Sequence, residues 1–475
     1  MSWLRAHHVR SRADLHQAHG VLVVVRDPPP APPSAPGQPK LVVGDPAEGV
    51  EFLLALWDDG SVTALHGHVD LGTGLRTALT QVVAEELDVP PARVHLVMGS
   101  TAAAPNQGAT IASASLQIHA QPLRLAAAQA RQWVLGQAAQ AWGVDASALQ
   151  LRDGVVQGPT QQADIGDWVR EQRTTLMLAS STPVKSPDDY RLVGTSLPRV
   201  DLLDKATGAL TFVHDMRLPG MLHGRVVRPP YAGADSGDFI GNTLERVDAQ
   251  SIAHIPGILA VVTQRDFVGI VAEREEHAEQ ALRELVVHWK PWPGMPGLHN
   301  TEQALRNNPS TARELVNEGE VDQALSKAAK TLDRTYVWPY QMHASIGPSC
   351  AVAAWMKDGD PEAPQTKLRV WAGSQNPHVL RADLALLMGL HDTAVDVVRM
   401  EAAGCYGRNG ADDVAADAAL LSKAVRAPVR VQLTREQEHA WEPKGAAQLM
   451  QVRGGLNADG TPAGYDFQTA YPSNG

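Results

Sequence analysis

The stretch Val62-Thr-Ala-Leu-His-Gly-His-Val-Asp-Leu-Gly-Thr-Gly-Leu-Arg-Thr-Ala-Leu-Thr-Gln81 decides how this chain folds. Its first ten residues are rich in β-formers and read as a strand. Gly72-Thr-Gly74 breaks that run. Leu75, Ala78, Leu79, Val82, Val83 and Leu87 then recur at the spacing of one helix face. Strand, glycine turn and helix in succession make an α/β unit. Upstream, Phe52-Leu-Leu-Ala-Leu-Trp57 and the turn signal Asp58-Asp-Gly60 add a hairpin partner. Downstream, Asp88-Val-Pro-Pro91 stops the helix, and Val94, Leu96 and Met98 alternate as a further strand. An alanine-rich helix is expected over 112–143, kinked at Pro122.

Beyond residue 150 the pattern weakens, and a boundary is expected within 150–190. Thr211-Phe-Val213, Gly224-Arg-Val-Val227 and Leu259-Ala-Val-Val262 read as strands, 273–285 as a helix and Val286-Val-His-Trp289 as a strand. A second α/β unit starts near Lys330, with strands near 331–338, 348–357, 367–373 and 395–400 and helices over 379–390 and 412–425. A hairpin turned at Asn457-Ala-Asp-Gly460 follows. Before Val42, Arg26-Asp-Pro-Pro-Pro-Ala-Pro-Pro-Ser-Ala-Pro36 reads as an extended polyproline linker. The chain thus divides into an arm and linker (1–41), a first α/β segment (42–160), a linker (161–195), an α+β segment (196–292), a connection (293–329) and a last α/β segment (330–475). The expected class is α+β, multidomain.

Composition narrows the function. Of 475 residues, 44% are hydrophobic and 20% charged, enough for a large core. The formal net charge of -11 argues against a general nucleic-acid binder. No apolar run approaches the roughly 18 residues of a membrane helix. Two cysteines, Cys350 and Cys405, are too few for a disulfide scaffold, a four-cysteine zinc site or an iron–sulfur cluster held by this chain alone; both read as packing residues. The basic N-terminus has no apolar segment directly behind it, so a cytoplasmic location is expected.

Four loops carry candidate chemistry. The first, 68–77, joins Gly72-Thr-Gly74 to a helix start, where free N–H groups attract an anion. The second, Ala104-Pro-Asn-Gln-Gly-Ala-Thr-Ile-Ala-Ser-Ala-Ser115, offers small residues and hydroxyls suited to phosphate. In the third, Gly373-Ser-Gln-Asn-Pro377, Gln375 follows the carboxyl end of a strand, where α/β folds place ligands. The fourth is Ala403-Gly-Cys-Tyr-Gly-Arg-Asn-Gly-Ala-Asp-Asp413. Taken alone, each also reads as an ordinary structural turn. The pairs His66/His68 and His16/His19 lack a third ligand in the sequence pattern and read as ordinary surface histidines.

Taken together, the loops resemble the molybdopterin-binding large subunits of the xanthine dehydrogenase and aldehyde oxidase family, in particular the branch of isoquinoline 1-oxidoreductase and nicotinate dehydrogenase. The likeness runs from about residue 40 onward. It is carried by Val69–Gln81, Pro198–Gly208, Val213–His223, Pro339–Cys350, Gly404–Asp413 and Trp441–Gly445. It implies a hammerhead domain near 200–290, flanked by molybdopterin-binding segments. Gln375 matches the glutamine that contacts the metal's oxo group; Gly72 and Gly74 match a phosphate-side pair, with Thr73 replacing a common glutamine. Ala112, Ser113 and Ser115 match the small-residue loop beside the pterin. Tyr406, Gly407 and Arg408 lie where the backbone meets the cofactor, and Asn409 stands where relatives carry a substrate-contacting glutamate. The metal would be held by the cofactor and by no protein ligand.

The activity so implied is hydroxylation of an N-heterocycle or aldehyde with water as oxygen donor. It would use a molybdenum cofactor, in the cytosine dinucleotide form or otherwise, and a small [2Fe–2S] partner subunit. The family's catalytic glutamate sits in a Gly-Val-Gly-Glu string that does not occur here; the nearest, Asn317-Glu-Gly-Glu320, lies in the polar connection. The resemblance therefore implies that a C-terminal remainder, in a longer chain or a second subunit, completes the enzyme. The rival expectations are a non-catalytic cofactor-binding or assembly subunit, a truncated form that needs a partner for activity, and a different nucleotide-binding α/β protein using the same glycine loops.

Overall fold

β-branched and leucine-rich runs build a five-stranded mixed sheet in the order Val94–Met98, Val62–His66, Glu51–Trp57, Val21–Arg26, Arg173–Met177. The chain is described from a computed structural model over residues 9–29, 49–231, 241–292, 299–356 and 365–472. Helices Leu75–Leu87 and Ala120–Trp142 cover one face of this sheet through Leu79, Val83, Leu123 and Val134. Leu15 of the short helix Arg12–Gln17 closes the other face against Val21, Val23 and Phe52.

The second large sheet has seven strands in the order Ile258–Gln264, Phe267–Ala272, Leu222–Val227, Val429–Gln432, Cys350–Trp355, Leu368–Ala372, Val395–Arg399. Helices Pro377–Met388 and Ala411–Val425 pack on it through Leu380, Leu384, Val414 and Ala418. Thr101 ties the two sheets together. Its hydroxyl accepts from the Val397 N–H at 2.8 Å, and its N–H donates to the Val397 carbonyl at 3.2 Å. A third sheet pairs Lys330–Trp338, Gln448–Leu456 and Pro462–Ala470.

Several sequence expectations need correction. Residues 1–41 are not only an arm: Val21–Val25 is fully buried and pairs with strands on both sides. The folded body therefore begins well before Val42. The part of the proline-rich linker from residue 30 onward lies outside the described residues. Within 161–195, Arg173–Met177 enters the first sheet in parallel with Val21–Val25, so this segment is not a mere linker. The α+β segment 196–292 is not separate either, because Leu222–Val227 pairs in parallel with Val429–Gln432. The 293–329 connection contains helices Thr301–Asn307 and Val321–Lys327. Thr211–Val213 is not a strand; Val213–Asp215 forms one 3₁₀ turn. The alanine-rich helix starts as a π turn over Ser115–His119. Pro122 lies in the first turn of the helix behind it, where its ring crowds the carbonyl four residues back; a wider turn relieves that crowding.

Candidate functional site

The four loops identified from sequence converge at the ends of both large sheets. Loop 68–77 meets loop 104–115 where the Val69 N–H donates to Thr110 Oγ1 at 2.9 Å and His68 Nδ1 meets Ser115 Oγ at 2.8 Å. Loop 104–115 meets loop 373–377 through a pair of bonds. The Thr110 N–H donates to the Gln375 carbonyl at 3.0 Å, and Gln375 Nε2 donates to the Thr110 carbonyl at 3.2 Å. The guanidinium of Arg399 donates to the Asp70 carbonyl and pairs with Glu401 at 3.0 Å, which joins loop 68–77 to the strand before loop 403–413. Leu71, Gly72, Gly373, Gly404 and Tyr406 together line a cleft of about 300 Å³.

Gln375 is buried, and its Oε1 has no hydrogen-bond partner. Gly72 and Gly108 adopt φ +96 and +77 with open space where a Cβ would stand, which leaves room beside the backbone there. Ala112 and Ser113 hold the left-handed conformation without being glycine (φ 56 and 55), a strained geometry of the kind that marks ligand clamps. Burial pulls the Arg399 guanidinium below its ordinary range, against the opposing pull of Glu401.

Other expectations change. The N–H groups of the first loop are not free for an anion: the buried Asp70 carboxylate takes those of Gly72, Gly74 and Arg76 at 2.8, 3.3 and 2.9 Å. Thr73 sits in that turn, outside the set of residues that line the cleft. Asn409 is buried and braces its own loop, donating to the Gly404 carbonyl at 3.3 Å and accepting from the Ala411 N–H at 3.2 Å. A substrate-contacting role for its side chain does not fit that geometry. Arg408 pairs with Asp412 at 2.7 Å. Gly407 (φ +130) is indeed at a close approach, but to His343: a Cβ there would lie 2.5 Å from His343 Cδ2. No sequence signal marks His343 as a site residue. Its Nδ1 donates to the Pro443 carbonyl at 3.0 Å.

His16 and His19 are exposed, as expected, but the pair His66/His68 is not on the surface. His66 and His68 are fully buried, and His119 packs on His68 with ring centroids 4.1 Å apart. This third histidine escapes any spacing rule because it lies some fifty residues along. Desolvation pushes His66 down to about 3 and His68 down to about 4, so both are neutral near pH 7. Among the described residues no group of three His, Cys, Asp or Glu is placed to hold a metal ion. Cys350 and Cys405 are buried, and burial pushes the Cys350 thiol up to about 11.

Residues 35–213 and 304–472 each match a molybdopterin cofactor-binding domain family. A nicotinate dehydrogenase component from Pseudomonas putida is 56% identical over 98% of this chain and 39% of its own length. The chain belongs to the molybdopterin cofactor-binding domain families, one in each half. The beta chain of isoquinoline 1-oxidoreductase from Brevundimonas diminuta is 27% identical over 85% of this chain and 57% of its own length. This molybdopterin-binding chain thus spans between about two fifths and three fifths of these two relatives. The residues present suit the cofactor. The orphaned Oε1 of buried Gln375 and the open space beside Gly72 and Gly108 are what a large polar ligand would cover.

Proposed function

We propose that this chain is the cofactor-holding part of a molybdenum hydroxylase that oxidises an N-heterocyclic aromatic compound or an aldehyde. The observation that carries the reading is buried Gln375, whose Oε1 is unpartnered and which is bonded to Thr110 of loop 104–115, beside a cleft lined by the other three loops. When bound, the molybdenum cofactor supplies two-electron oxidation of an electrophilic carbon, with oxygen from water. The chain's own residues hold and orient that group. Gln375 Nε2 has two hydrogens; one goes to the Thr110 carbonyl, and the second is available to the cofactor. Gly72 and the 112–115 loop would flank the pterin, and Tyr406, 62% exposed, stands at the rim.

The names of the relatives favour an aromatic ring nitrogen compound of the nicotinate or isoquinoline kind as substrate. A small [2Fe–2S] subunit would carry the electrons away, since two buried cysteines cannot hold a cluster. We propose the cytosine dinucleotide form of the cofactor and a cytoplasmic location; no helix of the described residues is long and apolar enough to cross a membrane. The general base would come from polypeptide that relatives carry beyond the matched length. Two measurements test the reading. Protein purified from cells that make the cofactor should contain molybdenum and pterin. In the assembled enzyme, Gln375→Ala should retain most of the cofactor and slow reduction by substrate about a hundredfold, the effect of one preorganised donor. An unchanged single-turnover rate would remove Gln375 from the site.

A further inference from the structure

We propose that His68 is a positioning residue that makes the Ser115 hydroxyl a hydrogen-bond acceptor, so that this contact takes an N–H donor of the pterin ring and not a phosphate oxygen. The inference rests on the molybdopterin reading above. It runs against the first expectation for loop 104–115, a phosphate cradle.

The direction of each hydrogen bond follows from groups that can only donate or only accept. His68 Nε2 lies 3.2 Å from the Gln107 backbone carbonyl, which only accepts, so Nε2 carries the proton. The ring is buried between His66 and His119 and is neutral, so Nδ1 is bare. Ser115 Oγ, 2.8 Å away, must then give its single hydrogen to Nδ1. Only lone pairs remain on the hydroxyl, and Ser115 is partly open to solvent. His66 is locked in the same sense. Its Nε2 donates to the His119 carbonyl at 3.1 Å, and its Nδ1 accepts the His68 N–H at 3.1 Å. Gln107 closes the frame, accepting from the Gly67 N–H at 2.7 Å and donating to the His119 carbonyl at 3.0 Å. Nothing in this frame can reverse the serine without breaking a buried bond.

Phosphate oxygens near neutral pH are acceptors and gain nothing from a lone pair. A pterin carries amino and ring N–H donors. The neighbouring loop points the same way, because buried Asp70 has already taken three of its N–H groups and adds negative charge beneath it.

The test uses the full chain purified from cells that make the cofactor, with bound pterin measured by fluorescence after oxidation and pyrophosphate binding followed by phosphorus NMR. Ser115→Ala should lower pterin content about tenfold, the loss of one hydrogen bond, and leave pyrophosphate affinity unchanged. Ser115→Thr should behave as wild type. His68→Asn, which keeps an acceptor near the Nδ1 position, should retain pterin, and His68→Leu should match Ser115→Ala. Nitrogen-15 NMR of histidine-labelled wild type at pH 7 should show His66 and His68 as Nε2–H tautomers; this readout holds even where a His68 variant misfolds. Pterin content unchanged in Ser115→Ala, weakened pyrophosphate binding in that variant, or a proton on His68 Nδ1 would each overturn the proposal. Wild-type protein without pterin would instead overturn the molybdopterin reading itself.

Discussion

Gly407 shows how tightly single residues are specified around the cleft. Its φ of +130 and the His343 ring 2.5 Å from a would-be Cβ exclude any side chain. Gly407→Val is expected to reduce molybdenum and pterin content and to lower the melting temperature, with strain of about 1–3 kcal/mol; wild-type metal content would show that the loop tolerates displacement. The buried histidines make a separate prediction on acid stability. Their folded pKa values lie below the unfolded 6.5. The stability they contribute is therefore complete above 6.5 and is lost as pH falls, down to about 4 for His68 and about 3 for His66. Each removes about 1.4 kcal/mol per pH unit in that window. Asp417 works in the opposite sense. Burial raises it to about 6 despite its pairing with Arg228, so it gains a proton in the folded state first. Between pH 6 and 5 His66 and His68 oppose Asp417, and the stability that the two histidines contribute should fall in urea unfolding as pH drops. Asp417→Asn should steepen the loss, and a flat profile in the wild type would contradict the buried, neutral assignment.

Among the elements, the turn 70–76 depends on one carboxylate. Asp70→Ala leaves the N–H groups of Gly72, Gly74 and Arg76 without their acceptor, at a cost of about 1–3 kcal/mol. Hydrogen exchange at those three amides should accelerate while that of helix Leu75–Leu87 beyond its first turn stays slow; equal protection in both proteins would assign the turn's stability elsewhere. This turn also shows what is legible in the sequence. Helix Leu75–Leu87 is readable because its apolar residues repeat every three or four positions. The strands around it are readable from alternation, and the loops from their glycines. Asp70 two residues before Gly72 is a local capping signal open to the same kind of reading. Val21–Arg26 is not, because a uniformly apolar run before prolines carries no period, and one of its partners, Arg173–Met177, lies about 150 residues away. Bond direction at Ser115, the stacking of His119 and the inward turn of Asn409 depend on contacts between distant segments, which no spacing encodes.

For the whole molecule, the third sheet is the anomaly. One face sets Leu332, Tyr336 and Trp338 beside Tyr465 and Phe467, all at least 46% exposed, and the last two rings stack in parallel. Monomeric proteins rarely leave such a patch open, and relatives carry further polypeptide. Tyr336→Lys with Phe467→Lys should reduce self-association of this chain in sedimentation without altering its circular dichroism; unchanged association would place the sticky surface elsewhere. The seven-stranded sheet has a further consequence, in time. Leu222–Val227 cannot meet its parallel neighbour until Val429–Gln432 exists, roughly 200 residues later. A ribosome adding about 5–20 residues per second takes about 10–40 s to make that stretch. For that interval the nascent chain carries a half-built sheet with an open apolar edge, so its yield in the cell should depend on chaperones that shield the edge until residue 432 has emerged.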